Sequence, residues 1–182
     1  ILGAAAFLVQ GSLPPLKASQ DPGGSSNPVP NASFEDAKDG QPVGWERRNW
    51  QARAEFGLDE AARAGKASAR ISSKEGADAS WSAVVPIKPF ARYRLSGWIK
   101  TKDLDPGTGR GALVTIQGMD VMTKPLRGTQ DWARAAVEFD SGANDAVSVN
   151  CLFGGWGKAT GTAWYDDIGL ELLAARPMKP RA

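Results

Sequence analysis

An antiparallel β-sandwich of the jelly-roll type is the fold this sequence predicts, and three observations carry it. Short β-prone runs recur through the middle of the chain, turn signals separate them, and no stretch holds a sustained helical period. The 21 glycines and 12 prolines supply turns for that many strands. Apolar residues make up 42% of the chain and include seven tryptophans, enough to fill a core. At 182 residues this is one domain with tails.

The apolar run Ile1-Leu2-Gly3-Ala4-Ala5-Ala6-Phe7-Leu8-Val9 is too short to span a bilayer. It reads as the back half of a signal-peptide apolar region, the alternative being a truncated anchor or a tail. Export is the expectation, to the periplasm or the extracellular space, with membrane association only through this segment if it is retained. A Ser/Pro/Gly-rich linker follows, so residues 1–26 precede the domain. The domain occupies 27–173, and 174–182 is a solvated tail rich in Pro and cationic residues.

About nine strands are expected, at 29–34, 52–56, 67–72, 79–87, 92–101, 111–119, 133–139, 146–153 and 162–173. The Ala-rich patch 55–67 leaves room for one helical turn. Breaks such as Asp105-Pro106-Gly107 and Ser141-Gly142-Ala143-Asn144-Asp145 punctuate the runs. Alternation assigns faces. Tyr93, Leu95, Gly97 and Ile99 point inward, with Arg92, Arg94, Ser96, Trp98 and Lys100 outside. Val147, Val149, Cys151 and Phe153 point inward in a later strand. In the last strand Trp164, Asp166, Ile168, Leu170 and Leu172 share the core parity, against Tyr165, Asp167 and Glu171.

Composition excludes several functions. Net charge is only +2 and the cations are scattered, so there is no basic stripe for nucleic acid. The chain has no His, which removes the commonest general base and any Ser-His-Asp triad. Cys151 is the single cysteine and falls in an alternating strand, as a buried core thiol does. Gly107-Thr108-Gly109-Arg110-Gly111 lacks the Gly-Lys-Ser/Thr ending of a phosphate loop. Asp166 and Asp167 are adjacent on a strand, so their side chains project to opposite faces. They do not make a glycosidase pair, whose carboxyls face one another about 5–9.5 Å apart. The expectation is a protein that is not an enzyme.

Five patches occur in order: Asn31-Ala32-Ser33-Phe34-Glu35, Gly40-Gln41-Pro42-Val43-Gly44-Trp45, Gly65-Lys66-Ala67-Ser68-Ala69-Arg70-Ile71, Tyr93-Arg94-Leu95-Ser96-Gly97-Trp98-Ile99-Lys100, and Gly161 to Leu170. Their order and spacing resemble the galactose-binding-like jelly roll of carbohydrate-binding modules of the family 4, 9, 16 and 22 type. The resemblance covers 27–173 and implies a noncatalytic module of an exported protein, with a polysaccharide or other glycan as partner. It also implies a structural Ca²⁺ between the chain ends. Glu35 and Asp166 would supply carboxylates, backbone carbonyls near Ser33 and Lys66 would join them, and Asp167 would be the fallback. An acid buried in an apolar strand needs a counter-charge or hydrogen-bond donors, and Ca²⁺ accepts mixed carboxylate and carbonyl shells. The other reading of Glu35 and Asp166 is as acceptors of backbone N–H groups at turns.

Sugar recognition calls for aromatic rings and planar polar groups on an accessible surface, since an aromatic side chain buries area while freezing few torsions. The candidates are Trp98, Trp50, Trp156, Gln117, Asn150 and Arg94. Trp50 is expected in a loop after Arg47-Arg48-Asn49, Trp156 in the glycine-rich loop 153–158, and Gln117 and Asn150 facing outward from strands. Trp45 and Trp164 read as packing residues. A second function class stays open: a protein-interaction or accessory module of an exported or membrane-associated complex, or the partner of a catalytic domain, on the same fold.

Overall fold

The computed structural model describes residues 26–175; the apolar run 1–9, most of the linker and most of the C-terminal tail lie outside the described residues. The described residues contain no helix. The strands are β1 (Ala37–Lys38), β2 (Gln41–Pro42), β3 (Glu46–Gln51), β4 (Glu55–Asp59), β5 (Ser68–Pro86), β6 (Ala91–Asp105), β7 (Gly111–Ile116), β8 (Val121–Met122), β9 (Gly128–Asp140), β10 (Ala146–Gly154) and β11 (Ala159–Ala175). β1 and β2 form a small separate hairpin.

The remaining strands build a β-sandwich whose two antiparallel sheets share β5. A front sheet runs β8-β7-β10-β5-β3 and a back sheet runs β4-β5-β11-β6-β9. β5 is one 19-residue strand where the sequence suggested two. Its polar middle, Ser73-Lys74-Glu75-Gly76, reads as a break but forms a bend. Gly76 adopts φ +94°, its N–H donates to Ser73 Oγ (3.0 Å), and the pairing with β11 slips there. Up to Ala77 the strand pairs with β11, and from Asp78 onward with β3 and β10. A strand that changes sheets through a bend is how such sandwiches turn a corner.

The core lies between the sheets. The inward positions expected for β6 and β10 are observed: Tyr93, Leu95, Ile99, Val147, Val149, Cys151 and Phe153 are all buried, but Ser96 and Asn150, expected outside, are buried too. Each such aliphatic or aromatic side chain contributes roughly 1.5–3 kcal/mol by leaving water. Trp81 is fully buried, edge-on to Phe56 at 5.1 Å, with its indole N–H donating to the Arg70 carbonyl (3.2 Å).

Four local expectations are corrected. Residues 29–34 form a turn, not a strand: Phe34 has φ +58°, and its N–H donates to the Asn31 carbonyl (3.0 Å). The segment 46–51 is a strand, so Trp50 stands on β3 instead of in a loop. The 55–67 patch gives β4 and then an irregular loop, without a helical turn. In β11, Tyr165 points inward and Trp164 outward, because a bulge at Asp166–Asp167 flips the parity. Asp167 sits at φ +46°, the pairing with β6 slips between Asp166 and Gly169, and Ile168 and Leu170 return to the core. One extra residue reverses every side chain beyond it.

Candidate functional site

The front sheet presents an outer face of small polar side chains. Registered rows run Glu46–Ser82–Asn150–Thr115 and Arg48–Ser80–Leu152–Leu113 across β3, β5, β10 and β7. Small side chains on the central strands leave a hollow, and taller groups wall it in. The resulting cleft, about 290 Å³, is lined by Trp50, Asp78, Thr115, Gln117, Asn150 and Trp156, among others. Trp50 is 42% exposed and Trp156 is 60% exposed, so both indoles keep accessible surface.

The serine–asparagine part of the floor is hydrogen-bonded. Trp50 Nε1–H donates to Ser80 Oγ (3.2 Å), the Ser80 and Ser82 hydroxyls meet at 2.9 Å, and Ser82 Oγ donates to Asn150 Oδ1 (2.6 Å). Such a network holds both the wall indole and the floor amide in one orientation. The Trp156 wall is built differently. Gly154, Gly155 and Trp156 have φ of +97°, +80° and +58°, a left-handed run in which a non-glycine residue is strained. Asp78, at the cleft base, accepts the Gly155 N–H (3.1 Å) and anchors that loop. Burial pushes the Asp78 carboxyl up, and the backbone N–H groups of Gly155, Gly157 and Trp156 partly oppose the shift. The Arg110 guanidinium lies 5.1 Å from the Trp156 ring, within cation–π reach.

Four of the six predicted ligand contacts, Trp50, Trp156, Gln117 and Asn150, therefore meet at one cleft. Gln117 is in the turn just after β7, not within the strand. Trp98 and Arg94 are on β6 of the back sheet, away from it. The Arg63 guanidinium covers the Trp98 ring at 4.2 Å, and its Nη1 pairs with Asp167 (3.1 Å). Arg94 pairs with Glu138 (2.8 Å) and Glu171 (3.1 Å). The sequence reading missed Asp78 and Arg48. The signal for Asp78 was its shared parity with Ser80 and Ser82 on β5; Arg48, on β3, carried no comparable signal.

The acids of the expected calcium shell face N–H groups. Asp166 is fully buried; its Oδ2 accepts the N–H groups of Arg63 (2.8 Å) and Ala64 (3.2 Å), and its Oδ1 accepts that of Asp167 (2.7 Å). Burial raises its carboxyl, and those N–H donors partly offset the rise. Glu35 accepts the N–H groups of Lys66 (2.9 Å) and Ala67 (3.1 Å); an added Cβ at Gly65 would strike its Oε1. Ser33 lies half-exposed in the 29–34 turn, and no group of three or more acidic or Cys side chains converges among the described residues. Ca²⁺ takes six to eight oxygens, so this N–H-rich arrangement does not fit it as a ligand shell. The bulge also brings Asp166 and Asp167 to the same loop, through Arg63, where strand alternation had separated them. The two ends of the domain are joined by an amide: Asn27 Nδ2 donates to the Ile168 carbonyl (2.8 Å), and the Leu170 N–H donates to Asn27 Oδ1 (3.1 Å).

This two-sheet architecture is the β-sandwich of carbohydrate-binding modules of the kind the sequence resembles. TmCBM61, solved with β-1,4-galactotriose, superposes with a TM-score of 0.55 at 16% identity, over 81% of this chain and 99% of that one. The Stig cyclase Fisc from Fischerella sp. TAU matches at 0.60 and 16% identity, over 82% and 98%. The enzymatically active domain of tailspike protein 4 from bacteriophage CBA120 matches at 0.60 and 14% identity, over 81% of this chain; the chain spans only 21% of that protein. No family model and no curated protein matches the sequence. At these identities the likeness defines the fold, and the cyclase and tailspike show that the fold alone does not select a function.

Proposed function

We propose that this is a noncatalytic glycan-binding module of an exported protein, and that its binding surface is the front-sheet cleft. One observation carries the reading: Trp50 and Trp156, from separate elements, stand half-exposed over the same polar floor. Indole faces suit the apolar C–H faces of sugar rings, and the Asn150 and Gln117 amides that line the cleft offer both donors and acceptors to sugar hydroxyls. The fold supports it, since carbohydrate-binding modules share this sandwich. The noncatalytic part rests on chemistry at the cleft. Asp78 is the one acid lining it, and that carboxylate already holds the Trp156 loop. The exported part rests on the apolar run 1–9 alone.

The test is affinity gel electrophoresis against soluble polysaccharides, with β-1,4-galactan and xylan first because neighbouring structures were solved with a galactotriose or are described as xylan-binding. Tryptophan fluorescence titration then measures the affinity. Retardation that Trp50→Ala or Trp156→Ala abolishes is the expected result. Silence across plant, algal and bacterial polysaccharides overturns the reading and leaves the protein-interaction module in its place.

A further inference from the structure

The front face holds two clefts, and one side-chain bridge lies between them. The second, about 420 Å³, is lined by Trp45, Glu46, Arg48, Ser82, Val84 and Ser148. It borders the first, because the floor is shared. Ser82 lines the second cleft, Asn150 lines the first, and the two are hydrogen-bonded to each other at 2.6 Å.

Above that continuous floor, Arg48 reaches diagonally from β3 across β5 and β10, and its Nη1 donates to Gln117 Oε1 (3.2 Å) at the end of β7. Glu46 lies 3.7 Å from Arg48 Nη2, and the Trp50 ring lies 5.9 Å from its guanidinium. A long cationic side chain is thus held by one hydrogen bond, with an ion-pair and a cation–π neighbour beside it, at the boundary between the two clefts. The second cleft also offers an unused group: the Ser148 hydroxyl is buried and has no hydrogen-bond partner. Val84 beside it is 66% exposed, apolar surface of the kind sugar rings cover. By itself the first cleft is at the lower limit of small-ligand sites, which run from about 300 to 1,000 Å³.

We propose that the Arg48–Gln117 bridge is a partition that sets the length of glycan this module accepts. With the bridge closed, the Trp50–Trp156 cleft takes a chain end or a short oligosaccharide. Without it, the two clefts form one groove able to hold a longer internal stretch of the same chain. This inference rests on the glycan reading of the front face and adds to it the residues that decide ligand length.

The experiment compares the trisaccharide and hexasaccharide of β-1,4-galactan and of xylan on the full chain, in the unaltered protein, Arg48→Ala and Gln117→Ala. The quantity read is the ratio of hexasaccharide to trisaccharide affinity. Taking a ratio cancels any contact Gln117 makes within the first cleft. In the unaltered protein the ratio stays near one, and in both variants it rises by about fivefold, the scale of one ordinary net hydrogen bond gained by the longer chain in the second cleft. Melting temperatures confirm that both variants are folded. A large ratio in the unaltered protein, or variant ratios no larger than its own, overturns the partition while leaving glycan binding intact. Silence of all three proteins in these series and across the plant, algal and bacterial polysaccharides removes the glycan reading, and the partition with it.

Discussion

The two outer faces of the sandwich carry similar residues and use them in opposite ways. On the front face, Trp50 and Trp156 stand over a floor of serine and asparagine side chains and keep open surface. On the back face, Trp98 lies beneath the Arg63 guanidinium, and the neighbouring charges neutralise one another in a ladder from Glu171 through Arg94 to Glu138 and Arg92. A tryptophan on an outward strand position therefore has no fixed role. What differs is the neighbour: small side chains on the central front strands leave a hollow, whereas long ion-paired side chains fill the back.

Substitutions sharpen this contrast, and the largest effect belongs to the front face. Trp50→Ala and Trp156→Ala should each weaken glycan binding by about tenfold or more, the scale of a buried aromatic anchor. Trp98→Ala should leave the affinity within about twofold. An equal loss at Trp98, measured by fluorescence titration, would break the distinction between the faces.

Next in size is Asp166→Ala, which strips the partner from three backbone N–H groups. It should cost about 3 kcal/mol in urea denaturation, whereas Glu35→Ala, at an exposed site with two N–H partners, should cost about 1 kcal/mol. Arg63→Ala removes a surface ion pair and the cover over Trp98; a loss of roughly 0.5–1 kcal/mol with unchanged glycan affinity is expected.

The acids of the two faces should also respond to pH with opposite sign. Asp78, raised by burial, binds a proton more readily folded than unfolded, so its contribution to stability improves as pH falls toward 3.8. The Glu138 carboxyl is held below 4.5 by its hydrogen bonds to Arg94 and Arg92. Its contribution is complete above that value and is lost as pH falls beneath it. In a urea-midpoint profile, Asp78→Asn should flatten the region above 3.8 and Glu138→Gln the region below 4.5. The smallest expected effect is that of EGTA. With N–H groups as the partners of Glu35 and Asp166, the melting temperature should not move; a drop that Asp166→Ala abolishes would restore the calcium shell.

The sandwich was legible because its signals are local. Period-two alternation in 92–101 and 146–153 assigned the faces of β6 and β10, and frequent turn signals implied many short antiparallel strands. The errors arose where pairing overrides local pattern. The polar centre of β5 reads as a turn, yet both halves find partners in different sheets and the strand continues through the bend. In β11, no composition signal announces the bulge, since a left-handed Asp167 is selected by its pairing with β6 and its contacts with the 60–67 loop.

The same division holds for the candidate site. By its residue types alone the sequence nominated Trp50, Trp156, Gln117 and Asn150, because aromatic rings and amides are what a sugar-like ligand requires. It placed Trp98 and Arg94 beside them on equal terms, since exposure depends on which distant groups cover a side chain. Only the tertiary structure brought the first four together from β3, the 153–158 loop, the turn after β7 and β10. It alone set Arg63 over Trp98, Asp78 under the Trp156 loop and Arg48 across the groove. Those contacts join residues far apart in the chain, and no local periodicity or propensity encodes which of them will meet.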